Sequence, residues 1–266
     1  MKSRVCVLGA SHVGAIRAAW LQSNAAALPY TLNFFAAPNR HFSRLDVRDG
    51  ALAATTKVGR AAFAQTCGRD RLVLSDYDAM LIVGCGMSVL AAVSLYWQAR
   101  FLALPSMRNA STRQLAKAIL VSQPCFLQAL TDRITDAEAS GIARLLRQST
   151  PAQIMVASQP RPSAAVLDAK GGFGGLRGVQ RRGDAAALSD LYDQAAADAL
   201  HGVASYLPQP AASVEQALFT AHHYSAGALR LGVHDDPVQT HQVDDYLHGN
   251  VAYGALVLDQ IAGAIT

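Results

Sequence analysis

Residues 4–20 change from the pattern of a β-strand to that of an α-helix across one tight turn. Arg4–Leu8 is a mostly apolar run with β-branched residues, which is typical of a buried strand. The pattern breaks at Gly9, and apolar residues then recur at helical spacing, at Val13, Ile16 and Trp20. Ser11 lies in the turn. Its hydroxyl can cap the helix, contact a bound phosphate or act as a nucleophile, and the local sequence leaves all three roles open.

The same alternation of strand and helix continues along the chain. Strands are predicted at Tyr30–Ala37, Tyr77–Gly84 and Ile154–Ala157, with helical patterns between them. Such alternation predicts βαβ units, and therefore an α/β fold with a mostly parallel sheet and helices on both faces. We predict a single domain over residues 1–266, with a helical insertion at about 88–150.

Local patterns predict several further elements. Thr135 is followed by a glutamate three residues later, a capping-box pattern that predicts the start of a helix. Ala185–Leu207 is predicted to be one long helix, Phe219–Val233 a short strand or hairpin, and Asn250–Ile265 an amphipathic closing helix. Residues 168–183 are rich in glycine and arginine, which indicates a surface loop and a candidate lid.

Composition and charge exclude several classes of function. The chain has 266 residues, is 51% hydrophobic and carries a net charge of +4, without a basic cluster interleaved with aromatic residues. Nucleic acid is therefore not a predicted partner, whereas anionic substrates remain compatible with the charge. No signal peptide or membrane span is predicted. The four cysteines form no CxxC pair, which favours a reducing, cytoplasmic setting. The sequence does not define the oligomeric state.

Polar residues follow the predicted parallel strands at one edge of the sheet. These turns are residues 9–12, 38–41, 84–86 and 158–162. In open α/β sheets, ligands bind beyond the carboxyl ends of the strands. We therefore expect these turns to surround the functional site.

A candidate base and its partner lie near the other end of the chain. Asp245 and His248 are three residues apart, just before the last predicted helix, so the carboxylate can reach one imidazole nitrogen. That hydrogen bond fixes the tautomer and leaves the other nitrogen free to accept a hydroxyl proton. Ser11, on a turn before a helix, is the matching candidate nucleophile.

Together these residues resemble the SGNH (GDSL-like) hydrolases. The resemblance rests on Gly9-Ala10-Ser11-His12 after the first strand and on Asp245-x-x-His248 followed by Asn250 before the last helix. It implies a flavodoxin-like, three-layer α/β/α fold. It also implies hydrolysis of an acyl ester, such as an O-acetylated carbohydrate, or acyl transfer, without a cofactor. Ser11 would be the nucleophile, His248 the base and Asp245 the residue that orients it.

The same resemblance implies a set of oxyanion and substrate contacts. The backbone of Ser11 and a glycine after the third strand, Gly84 or Gly86, would donate hydrogen bonds to the oxyanion. The family usually has aspartate where Ala10 stands, and an asparagine in its third block where this chain has Ser158-Gln159-Pro160. Gln159, or Asn39 after the second strand, would have to replace that asparagine. His12 is a candidate substrate contact or a polar residue at a helix start.

Other functions stay open on the sequence alone. Gly9-x-Ser11-x-x-Gly14 approximates a dinucleotide fingerprint, but its central glycine is absent and no acidic residue ends the second strand. Despite these two departures, a nucleotide-binding oxidoreductase is an alternative function. A non-catalytic protein of the same fold is another. The histidines and aspartates of residues 222–244 lack a familiar zinc spacing, so no metal site is predicted.

Overall fold

A five-stranded parallel sheet forms the centre of the computed structural model, which describes residues 2–108, 110–116, 118–236, 238–242 and 244–265. The strands along the chain are β1 (Ser3–Gly9), β2 (Tyr30–Ala36), β3 (Leu45–Arg48), β4 (Ala51–Ala54), β5 (Arg71–Val73), β6 (Ala79–Val83), β7 (Gln153–Ala157), β8 (Ser205–Leu207), β9 (Val214–Glu215), β10 (Phe219–Thr220), β11 (Leu229–Leu231) and β12 (Val238–Thr240). The central sheet has the order β2-β1-β6-β7-β8, and all four of its pairings are parallel.

The helices connect these strands and cover the sheet. They are α1 (Val13–Gln22), α2 (Lys57–Cys67), α3 (Leu90–Gln98), α4 (Pro105–Arg108), α5 (Thr112–Leu115), α6 (Gln123–Thr135), α7 (Glu138–Ser149), α8 (Gly174–Arg181), α9 (Ala185–Leu200) and α10 (Val251–Ala264). Helices α3–α7 all lie between β6 and β7, where the sequence predicts a helical insertion. No helix of the described residues is long and apolar enough to cross a membrane.

Alternating side chains of β1 show how the sheet is covered on both faces. Val5 and Val7 belong to a core that includes α1 and α10, whereas Cys6 and Leu8 belong to a second core with α2, α3, α6, α7 and α9. Both sets are fully buried, as expected for an inner strand of a parallel sheet. The α/β class and the three-layer arrangement are thus confirmed, and the strand order is the flavodoxin-like one.

Three predicted elements are corrected by the structure. The long helix predicted at Ala185–Leu207 ends at Leu200, because Gly202 takes a positive φ of 74°, and the chain then forms β8. The loop predicted over residues 168–183 contains α8, whose glycines make room for the indole of Trp97. Thr135 ends α6, and the next helix begins at Glu138.

Small antiparallel sheets lie outside the central one. Strands β3, β4 and β5 form a three-stranded sheet, while β9 with β10 and β11 with β12 form two-stranded pairs. The pair β11–β12 lies against α1, and the backbone of Arg230 approaches Gly14 so closely that a Cβ there would clash. This contact brings the segment before α10 to the carboxyl edge of the sheet.

Candidate active site

Ser11 lies in a tight turn between β1 and α1. Val13 N–H donates to the carbonyl of Ala10, and Gly14 N–H donates to the carbonyl of Ser11. The residue at the N-cap position is His12, which makes no side-chain capping bond. The hydroxyl of Ser11 instead lies 2.7 Å from Nε2 of His248, which is 237 residues away in the sequence.

The two glycines of the approximate dinucleotide fingerprint have packing roles. A Cβ on Gly9 would lie 2.7 Å from the Val83 carbonyl oxygen, and a Cβ on Gly14 would lie 2.5 Å from the backbone of Arg230. Cβ atoms essentially never approach other atoms so closely, so both positions require glycine for packing alone. The fingerprint therefore needs no bound nucleotide to explain it.

Asp245 and His248 belong to a turn that is fixed by its own hydrogen bonds. Asp245 Oδ1 accepts hydrogen bonds from the backbone N–H groups of Leu247 and His248, at 2.8 and 2.9 Å. The Tyr246 carbonyl accepts from the N–H of Ser163, and Asn250 Oδ1 caps α10 by accepting from Tyr253 N–H. The sequence Asp-x-x-His-x-Asn thus forms a rigid entry to the last helix.

The side chains of Ser11, His248 and Asp245 form one continuous hydrogen-bonded chain. His248 Nδ1 lies 2.9 Å from Asp245 Oδ2, and His248 Nε2 lies 2.7 Å from Ser11 Oγ. An ionised carboxylate only accepts hydrogen bonds, so Nδ1 carries the proton and Nε2 is free to accept from the serine. Asp245 and His248 are each 12% exposed, which limits competition from water. This is the geometry that nucleophile activation requires.

Two further histidines flank His248. His12 stacks on one side with ring centroids 4.3 Å apart, and His241 stacks with its centroid 4.1 Å away. His241 Nδ1 also lies 2.8 Å from Asp245 Oδ2, so two histidines share that carboxylate. From the sequence, His241 was considered only among the histidines and aspartates of residues 222–244 and was given no role. The spacing His241-x3-Asp245-x2-His248 was the signal that could have identified it.

The pKa values of His12 and Asp245 are both lowered, but for different physical reasons. Burial, together with the nearby His248, lowers the pKa of His12 from 6.5 to about 3, so His12 is neutral at physiological pH. Burial acts to raise the pKa of Asp245. The hydrogen bonds from His248 and Leu247 and the neighbouring imidazoles outweigh burial and hold that pKa well below its usual range. Asp245 is therefore an anion throughout the neutral range.

The two candidate glycine donors differ in what surrounds them. The N–H of Gly84 donates to the carbonyl of Ala157 at 2.9 Å, so the expectation that it stabilises an oxyanion is wrong for this structure. That bond extends the parallel pairing of β6 with β7 by one residue. Gly86 has a positive φ of 86° and faces Ala137 and Glu138 of α7. Its role as a donor stays a prediction.

Neither Asn39 nor the amide of Gln159 forms a hydrogen bond with Ser11 among the described residues. Asn39 is exposed at the start of a 3₁₀ helix, because Pro38 redirects the chain immediately after β2. Gln159 Nε2 donates to the hydroxyl of Ser88 at 2.9 Å, and its side chain also interacts with His12. The Gln159 side chain therefore supports His12. The Gln159 amide therefore does not replace the family asparagine in this structure, and the role expected for Asn39 stays a prediction.

One cluster of described residues has the composition of a metal site. His241, Asp245 and His248 offer ligand atoms that all lie within 4.8 Å of one another. Two imidazoles and a carboxylate suit a divalent ion such as zinc. The same atoms hold His248 in place for Ser11, so a metal there would compete with the hydrogen-bonded chain.

Comparisons with known proteins provide a structural likeness and no family assignment. The sequence matches no family model, and it matches no curated protein. Six chains of solved structures match the fold, among them an extracellular lipase from Streptomyces rimosus. That likeness covers 98% of this chain and 99% of the lipase, with 13% sequence identity and a TM-score of 0.46. The functional reading therefore rests on the site geometry of this chain.

Proposed function

We propose that this protein is a serine hydrolase of the SGNH type that acts on a small acyl ester through an acyl-enzyme on Ser11. The single observation that carries the proposal is the hydrogen-bonded chain from Ser11 Oγ through His248 to Asp245, with distances of 2.7 and 2.9 Å. These three residues come from opposite ends of the sequence and meet at the carboxyl edge of a parallel sheet. Catalytic residues are expected at that edge in α/β folds.

The reaction follows from the protonation states of the three residues. Ser11 Oγ attacks the acyl carbon while its proton passes to Nε2 of His248, and Asp245 stabilises the imidazolium that forms. His248 then returns the proton to the departing alkoxide, which leaves as the alcohol. In the second half, water attacks the acyl-enzyme while its proton passes to His248, and His248 then returns that proton to Ser11 Oγ as the carboxylic acid leaves.

Oxyanion stabilisation sets the expected rate. The backbone N–H of Ser11, at the N-terminus of α1, is the donor that this proposal relies on. Gly84 is committed elsewhere and Gln159 is bonded to Ser88. Because the loss of one donor typically costs about 100- to 1000-fold in rate, we expect slow turnover of simple esters. O-acetylated carbohydrates are candidate substrates, and an alcohol acceptor in place of water would make the enzyme an acyltransferase.

The compartment is a separate inference. All four cysteines are free, and Cys6 and Cys85 are fully enclosed in the core. Burial raises the pKa of the Cys85 thiol from 9.0 to about 12, which keeps it protonated. These thiols support a reducing, cytoplasmic setting.

Labelling with a fluorophosphonate tests the catalytic proposal. The wild-type protein is expected to react at Ser11, which mass spectrometry would locate, and to hydrolyse 4-nitrophenyl acetate. Ser11→Ala should abolish both, and His248→Gln should slow both by at least about 1000-fold. Ser94→Ala, a change on the exposed face of α3, serves as the matched control. Full esterase activity in Ser11→Ala would refute the proposal.

A further inference from the structure

A pocket beside Ser11 has a positively charged wall. Its volume is about 320 Å³, and Ser11 is one of the residues that line it. Three separate parts of the fold build the wall: the turn after β2, the helix α2 and the pair β11–β12. The first contributes Arg40 and the last contributes Arg230. This size lies at the lower end of pockets that bind small molecules.

The two arginines of this pocket lack acidic partners. No aspartate or glutamate is among the described residues that line the pocket, and no ion pair of either arginine is found in those parts of the chain. Arg40 Nε instead contacts His41 Nε2 at 3.3 Å. Behind the wall, Arg17 donates to the carbonyl of Thr66, a lining residue, and adds a third positive charge. The described lining of the pocket therefore carries positive charge and no acidic side chain.

The position of Arg230 is fixed by the fold. Its backbone packs against Gly14 in the first turn of α1, directly after the turn that carries Ser11. Its strand β11 pairs with β12, which also contributes Gln239 to the wall. The backbone of Arg230 is thus held next to the turn that carries Ser11, and the two residues line the same pocket.

We propose that this pocket selects esters that carry an anionic group, a carboxylate or a phosphate, which Arg40 and Arg230 bind. This inference rests on the proposed esterase function and names the substrate class for the same site. Guanidinium groups pair with carboxylate and phosphate oxygens through charge-assisted hydrogen bonds. The neutral remainder of the ester then lies against Leu231 and Val233, the apolar residues of the same wall.

Matched pairs of substrates test the proposal. The hemiester mono(4-nitrophenyl) glutarate and its neutral methyl ester place the charge on the acyl side. The compounds 4-acetoxybenzoate and methyl 4-acetoxybenzoate place it on the alcohol side, and 4-acetoxyphenyl phosphate tests a phosphate. The measured quantity is the ratio of kcat/KM for the anionic ester to that for its neutral partner. We expect a ratio above one for at least one pair, and a lower ratio at high salt.

Arginine variants locate the source of the preference. Arg40→Gln and Arg230→Gln should each lower the ratio by about tenfold, the loss expected for one charge-assisted contact. Arg147→Gln should leave the ratio unchanged, because Arg147 lies beside Gln153 at the start of β7, at the opposite edge of the sheet. Hydrolysis that depends on Ser11, with the same ratio in wild type and both pocket variants, would overturn this proposal and leave the esterase proposal intact.

Ligand binding to the inactive variant Ser11→Ala distinguishes failure of the esterase proposal from failure of the anion-site proposal. If the wild type hydrolyses no ester and Ser11 is not labelled, the proposed function fails. Calorimetric titration of monomethyl glutarate and methyl phosphate into Ser11→Ala then decides the anion site by itself. Binding that is lost in the Ser11→Ala/Arg230→Gln double variant supports the anion site, and absence of binding to Ser11→Ala overturns it.

Discussion

The carboxylate of Asp245 contacts two histidines, His241 and His248. The site therefore has one more imidazole than a triad of serine, histidine and aspartate. Both His241 Nδ1 and His248 Nδ1 contact the same oxygen, Oδ2, at 2.8 and 2.9 Å. The second imidazole also stacks on His248, opposite His12. We therefore expect His241 to act as a positioning residue, because it contacts both the carboxylate of Asp245 and the ring of His248.

Replacement of His241 by phenylalanine tests that role. His241→Phe keeps a ring against His248 but removes the donor to Asp245. We expect kcat to fall by about tenfold with little change in KM, since one hydrogen bond to a charged group contributes about 1.5 to 3 kcal/mol. Steady-state kinetics with 4-nitrophenyl acetate provide the measurement, and His201→Phe, on an exposed residue after α9, is the control. A rise in KM alone would contradict a positioning role.

Zinc should inhibit the proposed hydrolase activity by binding at the same cluster. A metal bound by His241, Asp245 and His248 would take the Nδ1 atom that holds His248 to the carboxylate. Labelling of Ser11 by a fluorophosphonate should therefore slow at micromolar zinc chloride and recover when EDTA is added. His241→Phe should need about tenfold more zinc, because it removes one of three ligands. Equal zinc sensitivity in both proteins would place the inhibitory metal elsewhere.

At the scale of elements, α1 and α10 pack closely enough to require a glycine. A Cβ on Gly254 of α10 would clash with the backbone carbonyl of Ala15 in α1. This contact joins the helix that follows Ser11 to the helix that follows His248. The separation of these two helices thus helps to set the distance between Ser11 and His248.

Gly254→Ala is predicted to lower both stability and activity. The added methyl group forces the helices apart, so the free energy of unfolding should fall by about 2 to 3 kcal/mol. Gly141→Ala on α7 is the matched control: no atom lies within 4 Å of its added Cβ, and alanine favours a helix by up to about 1 kcal/mol. Urea titrations followed by circular dichroism measure both. If Gly254→Ala is as stable as the wild type, α1 and α10 can move apart at no cost in stability, which would contradict the prediction.

The sequence predicts elements well where the local pattern and the buried environment agree. β1 and α1 were predicted because the apolar period changes within a few residues, and α10 because Asn250 marks its start. β8 was missed since its three residues adjoin α9, and only pairing with β7 makes them a strand. α8 was missed because glycine disfavours helices. In the structure, the indole of Trp97 occupies the space that the absent side chains of Gly175 and Gly178 leave free.

Across the whole molecule, the fold decides which distant residues share a site. Ser11, Asp245 and His248 were predicted from two short motifs because each motif is local, and the fold brings the two motifs together. His241 was not selected although its spacing to Asp245 and His248 is local. Arg40 and Arg230 were not selected, since their place beside Ser11 depends on contacts between elements that no local pattern encodes. Gly84 does not serve as the expected donor because backbone pairing with β7 takes its N–H, whereas the role expected for Asn39 stays a prediction.

The last prediction concerns the stability of the whole protein in acid. The pKa of His12 is about 3 in the folded protein but about 6.5 in the unfolded chain. Between those pH values the unfolded chain takes up a proton that the folded protein does not, so stability falls as the pH falls through that window. At pH 5 the expected loss from this residue is about 2 kcal/mol relative to pH 7.5.

Urea titrations of wild type and His12→Gln at pH 7.5, 6 and 5 isolate this contribution. His12→Gln should lose about 2 kcal/mol less than wild type between pH 7.5 and 5, whatever its stability at neutral pH. Asp245 does not contribute to this difference. Its pKa is lowered in the folded protein, so it changes stability only at pH values near and below 3.8, the ordinary pKa of the carboxyl group. His201→Gln, at an exposed position, is the matched control. Parallel loss of stability in wild type and His12→Gln would mean that His12 is protonated in the folded protein, and that the ring beside His248 carries a charge.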